Sequence, residues 1–124
     1  MATRDRSQRM QVALLGLRAA SPDVTGACVV SRDGLIIAAE LPDDADEELI
    51  GAMAATALAS AERLALEWLH GELRQTWLVT SAGQVAIALL PGDAALMLMV
   101  RPEANAGLVQ LGLRQAVAEL SRVA

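Results

Sequence analysis

The chain has 124 residues, 54% of them hydrophobic, and a formal net charge of −5 from 15 acids and 10 basic residues, all arginine. A domain of this size buries about two-thirds of its unfolded surface, so residues 1–124 read as one packed domain, and this composition excludes disorder. The acidic balance leaves no basic face for nucleic acid.

One cysteine, Cys28, cannot form an internal disulfide, and one histidine, His70, leaves few metal ligands, so neither cofactor nor metal is expected. The opening MATRDRSQRM is charged where a signal peptide needs an apolar core. No uninterrupted apolar run approaches the ~20 residues that span a bilayer. The expectation is a cytoplasmic protein without membrane insertion.

In chain order, Asp5 to Ala20 reads as a helix, with Met10, Leu14 and Leu17 at helical spacing. Val24–Val30 and Leu35–Ala39 are short β-rich runs, and Asp33-Gly34 between them favours a tight hairpin because glycine accepts positive φ. Acids at 43–48 then open a long helix, expected from Ala45 to His70 with Gly71 as its stop. Glu72–Thr80, Gln84–Leu90 and Ala94–Arg101 read as strands separated by the turn sequences SAG and PGD. Pro102-Glu103 opens a last helix through Arg122, with Val109, Leu113, Ala116, Val117 and Leu120 on one stripe.

The order α-β-β-α-β-β-β-α, with two adjacent hairpin units, predicts an α+β fold on an antiparallel sheet. ACVV, LIIAA, VAIALL and ALMLMV are apolar on both alternating faces, which places helices on both sides of the sheet. ELRQTWLVT alternates instead. Leu73, Trp77 and Val79 are expected on one side and mostly polar residues on the other, the pattern of an edge strand open to pairing.

The middle helix carries a second irregularity. Ile50, Met53, Ala54, Ala57, Leu58, Ala61, Leu64, Ala65 and Trp68 form a broad stripe, and Gly51, Ala55, Ala59 and Leu66 extend it round the flank. Only Thr56, Ser60, Arg63 and Glu67 make a polar ridge. The apolar arc is about twice the ~100° of an ordinary surface helix, and the excess calls for a partner, although alanine-rich helices are also tolerated in water.

Catalytic readings are weak. Cys28 sits mid-strand among apolar residues and reads as a small buried hydrophobe. Ser31 lacks the glycine pattern of a nucleophile elbow. Asp43, Asp44, Asp46, Glu47 and Glu48 lack Ca²⁺-loop spacing, and a helix start accounts for them. No phosphate-cradling loop is present. Trp68 and Trp77 are expected in the core, with Trp77 also placed to serve an interface, and Arg63 and Arg74 on a solvated face.

The hairpin GACVVSRDGLIIAAEL, the alanine-rich helix EELIGAMAATALASAERLALEWL and the closing VAIALLPGDAALMLMVRPEANAGLVQLGLRQAV together resemble the Roadblock family, related to the dynein light chains. The resemblance implies a profilin-like fold: a five-stranded antiparallel sheet in order 2-1-5-4-3, with one helix on one face and two on the other. It also implies homodimers that pair third strands and pack middle helices, here through Gly51, Ala54, Ala55, Leu58, Glu62, Arg74, Thr76, Trp77 and Leu78. Family members are non-catalytic partners of small Ras-like GTPases, including bacterial motility regulators, or subunits of motor and signalling scaffolds. Ala52, Ala55, Ala59, Glu62, Arg63 and Leu66 would form the docking platform. A purely structural scaffold subunit and a small-ligand sensing module are the competing readings.

Overall fold

The computed structural model describes residues 2–123, and the side chains from residue 6 onward. Its elements are α1 (Ala2–Ala20), β1 (Val24–Ser31), β2 (Ile36–Glu40), α2 (Glu47–Leu69), β3 (Gln75–Thr80), β4 (Gly83–Leu90), β5 (Ala94–Val100) and α3 (Ala106–Val123). The strands form one antiparallel sheet in the order β2-β1-β5-β4-β3, as the resemblance implies.

Register explains why the central strands are apolar on both faces. Cys28 lies opposite Ala39 on one side and Met97 on the other, and Ile87 joins Met97 to Thr76. This row faces α2. The neighbouring row, Ala27, Leu98, Ala86 and Trp77, faces the layer of α1 and α3. Two cores result. One joins Met10 and Leu14 of α1 to Val109, Leu113, Ala116 and Leu120 of α3, and the smaller joins Ala54 and Leu58 of α2 to Cys28, Val30 and Ile87.

Local chemistry fixes several boundaries. Gly34 adopts φ 89° in the first hairpin, and the Ser31 hydroxyl accepts the Leu35 N–H at 3.1 Å, so the turn reaches one residue further than expected and β2 begins at Ile36. α2 starts where Asp46 caps it, its carboxylate accepting the Leu49 N–H at 3.2 Å. At the other end the left-handed residue is His70, at φ 54°, rather than Gly71, whose N–H bonds back to the Ala65 carbonyl at 3.2 Å.

α3 begins at Ala106, not at Pro102. Residues 101–104 close a turn through Ala104 N–H and the Arg101 carbonyl, and Asn105 supplies the oxygen that accepts the Leu108 N–H at 3.1 Å. β3 begins at Gln75 rather than Glu72. Leu73 precedes the regular strand and packs with the α2-side core, while Trp77 packs against the opposite core, so the expected single face is split.

Candidate interaction surface

The unusual feature of the site is which residues α2 presses onto the sheet. Gly51, Ala54 and Leu58 are its buried positions. Gly51 lies so close to the first hairpin that a Cβ there would collide with the Gly34 carbonyl oxygen. Small side chains let the helix sit low, and its larger apolar side chains are left outside. Met53 is 54% exposed, Leu64 61%, Leu66 65% and Trp68 77%. The expected stripe is therefore rotated: Met53, Leu64 and Trp68 lie outside the core, and the core face runs through Gly51, Ala54 and Leu58.

The expected interface residues differ in their surroundings within the chain. Gly51, Ala54 and Leu58 are buried in packing within the chain. Ala55 is half-buried, while Ala52 and Ala59 are exposed beside Leu66. Glu62 is half-buried and its carboxylate is ion-paired with Arg32, which also bonds Asp93 through Nε at 3.1 Å. The pair ties α2 to the first hairpin and to the β4–β5 turn, so Glu62 is occupied rather than offered. Two acceptors and the dominant Glu62 hydrogen bond raise the Arg32 pKa still further above its usual value. Arg63 pairs with Glu67 one turn on, at 3.0 Å.

The β3 edge of the sheet is open. Arg74 just before β3, and Leu78, Val79 and Thr80 on it, are exposed, and Thr76 and Trp77 are half-buried. By register Thr76 and Leu78 lie on the α2 side of the sheet and Val79 on the other. The opposite edge is closed: Gln11 of α1 donates its amide N–H to the Ala39 carbonyl and accepts the Ala39 N–H at 3.0 Å, and the Ser7 hydroxyl donates to the Ile37 carbonyl at 2.8 Å. Among the described residues no side chain closes β3 in this way. Gln11 and Arg32 were not anticipated. The signal for the first was the i, i+4 spacing of Ser7 and Gln11 beside the Met10–Leu14 stripe; for the second there was none, because its partners are 30 and 61 residues away.

The chemical alternatives gain no support from the geometry. Cys28 is fully buried, and burial, followed by the negative charge of Glu47, pushes its thiol up to about 12, so it carries its proton at neutral pH. Ser31 spends its hydroxyl on the turn. His70 is exposed at the end of α2. Asp46 is a helix cap, with Glu47 and Glu48 in the first turn. Among the described residues no three His, Cys, Asp or Glu side chains are grouped as a metal site. By length and composition α2 is apolar enough to cross a bilayer, a property its exposed hydrophobic flanks give it despite Glu62 and Arg63 at mid-helix.

A family model, Roadblock/LC7 domain, matches residues 10–100. An uncharacterized protein of Methanocaldococcus jannaschii is 35% identical over 97 residues, covering 78% of this chain and 84% of its own. Among solved structures, Myxococcus xanthus MglB superposes with a TM-score of 0.87 at 15% identity, covering 94% of this chain and 88% of that one. Acanthamoeba castellanii profilin II matches at a TM-score of 0.66 and 16% identity, covering 90% of this chain and 96% of the profilin, so the fold is profilin-like. Sheet order, helix placement and the match over residues 10–100 agree, and the chain belongs to the Roadblock/LC7 family, a family of regulatory adaptors.

Proposed function

We propose that the chain is a non-catalytic, cytoplasmic adaptor that homodimerises and binds a small Ras-like GTPase, modulating its nucleotide cycle or its location. The observation that carries this reading is the apolar surface left outside the chain's own cores: Met53, Leu64 and Leu66 on α2, and Leu78 on an open β3. Several large apolar side chains exposed on one helix mark an interface. Pairing of β3 with its copy would satisfy the free edge and continue the sheet. α2 has two apolar flanks, Met53 and Leu64 on one and Ala52, Ala59 and Leu66 on the other, so one flank can meet the twin while the other receives the partner.

Regulation follows from what such a platform can touch. GTPase switch loops are ordered by nucleotide-dependent contacts, so a rigid apolar platform that favours one loop arrangement shifts the nucleotide equilibrium without chemistry of its own. Arg63 and Arg32, the arginines on and against α2, are already paired with acids, so neither is held free for supply in trans.

The test is binding of the purified chain to each small Ras-like GTPase of the same cell, loaded with GDP or with a non-hydrolysable GTP analogue. The reading predicts that one GTPase binds with a clear preference between the two nucleotides, and that Leu66→Asp abolishes it. No binding in either state overturns it, and binding indifferent to nucleotide assigns the chain to the scaffold class instead.

A further inference from the structure

A groove of about 600 Å³ opens where β3 begins, β4 ends and α3 crosses the sheet, with no residue of α2 in its lining. Its floor is apolar: Ala88 and Leu113 are buried, and Leu73, Leu89 and Val117 half-buried. Its rim is polar. Gln75 and Gln110 bond each other through reciprocal amide contacts of 3.0 and 3.3 Å, and Arg74 and Arg114 flank them, both exposed. Each glutamine amide keeps one N–H and further acceptor capacity for a ligand.

Arg18, Arg32, Arg63, Arg101 and Arg122 each face a carboxylate. Arg74 and Arg114 face none among the described residues, although acids outnumber arginines 15 to 10. Two unpaired guanidinium groups therefore meet at one groove with an apolar floor, in a molecule whose net charge repels anions elsewhere. A guanidinium presents a fork that matches a carboxylate.

We propose that this groove docks a short acidic peptide segment of a partner protein, with carboxylates on Arg74 and Arg114, an apolar side chain on Leu113 and Val117, and its backbone against the Gln75–Gln110 amides. The groove gives the adaptor a second docking point independent of α2, so the proposal does not rest on the GTPase reading.

A random hexapeptide library displayed on phage, panned against the full chain, tests it. Enriched peptides are expected to carry two or more acids around an apolar residue, and to shift the amide resonances of Ala88, Gln110, Leu113 and Val117 but not those of α2. Arg114→Gln should weaken a selected peptide about threefold and R74Q/R114Q roughly tenfold, as exposed ion pairs do, with the effect shrinking at high salt. Arg114→Lys should recover part of the loss. The single Arg114→Gln variant keeps the test valid if the double variant melts early. Absence of acidic enrichment, equal binding by R74Q/R114Q, or shifts confined to α2 would overturn the proposal. So would shifts at the groove that track protein concentration alone, which would make a second copy of this chain the occupant.

Discussion

At the β2 edge of the sheet, Gln11 engages both polar groups of Ala39 and Ser7 bonds the Ile37 carbonyl, so the strand's outward backbone is closed by α1. At the β3 edge, Leu78 and Val79 stand 50% and 75% exposed, with no such closure among the described residues. An unpaired edge recruits further strands unless it is covered, charged or bent away. One sheet thus protects one edge and presents the other. The two faces also differ: α1 and α3 set Met10, Leu14, Leu113 and Leu120 into their core, while α2 buries Gly51, Ala54 and Leu58 and exposes Met53, Leu64 and Leu66.

The contrast is sharpest in the response to truncation. Leu113→Ala, at a fully buried position on α3, should destabilise the fold by about 3 kcal/mol in urea denaturation, through lost burial and the cavity left behind. Leu64→Ala on α2 should change it by less than about 0.5 kcal/mol while weakening self-association in sedimentation. Equal losses would mean that the α2 surface belongs to the core.

Gln11→Leu removes both contacts to Ala39 and should lower stability by roughly 2 kcal/mol. It should also make the protein aggregate on heating, because the protected edge becomes a second open one. Unchanged melting and solubility would show that α1 does not guard β2.

Cys28 reports on the seal between α2 and the sheet. Its thiol keeps its proton in the folded chain up to about 12, while in the unfolded chain it titrates near 9. The raised folded value stabilises fully below pH 9 and is lost as pH rises toward 12, at about 1.4 kcal/mol per pH unit. Cys28→Ala should remove that slope. A wild-type curve as flat as the variant's between pH 9 and 11 would mean that water reaches the thiol.

A change of the opposite sign is expected at the end of α2. His70 holds a left-handed conformation that disfavours a side chain, so His70→Gly should raise stability by about 1 kcal/mol, read as a higher melting temperature.

The strands, their turns and the α3 stripe were legible in the sequence because period and turn chemistry act over a few residues. Asp33-Gly34 sets the hairpin, and Val109, Leu113, Ala116 and Leu120 recur at helical spacing and are buried. The sheet order came from family resemblance, since local pattern says nothing about which strands meet. The orientation of α2 was misjudged because hydrophobicity favours Met53, Leu64 and Trp68 as core residues. What decides the orientation is the close approach of Gly51 to Gly34, a contact across 17 positions that only folding creates. α3 started late for a local reason: Asn105 is a better cap than the Pro102 signal suggests. The Arg32–Glu62 pair was invisible for the same reason as the Gly51 contact, being made between distant segments.

Sedimentation velocity on the full chain tests the central claim, that the surface left by α2 and the open β3 edge is covered by a second copy. The account predicts a single species of twice the 13.0 kDa chain mass at micromolar concentration, converted to the monomer by Val79→Lys together with Leu64→Asp, with the fold retained. A monodisperse, folded wild-type monomer at high micromolar concentration would contradict it.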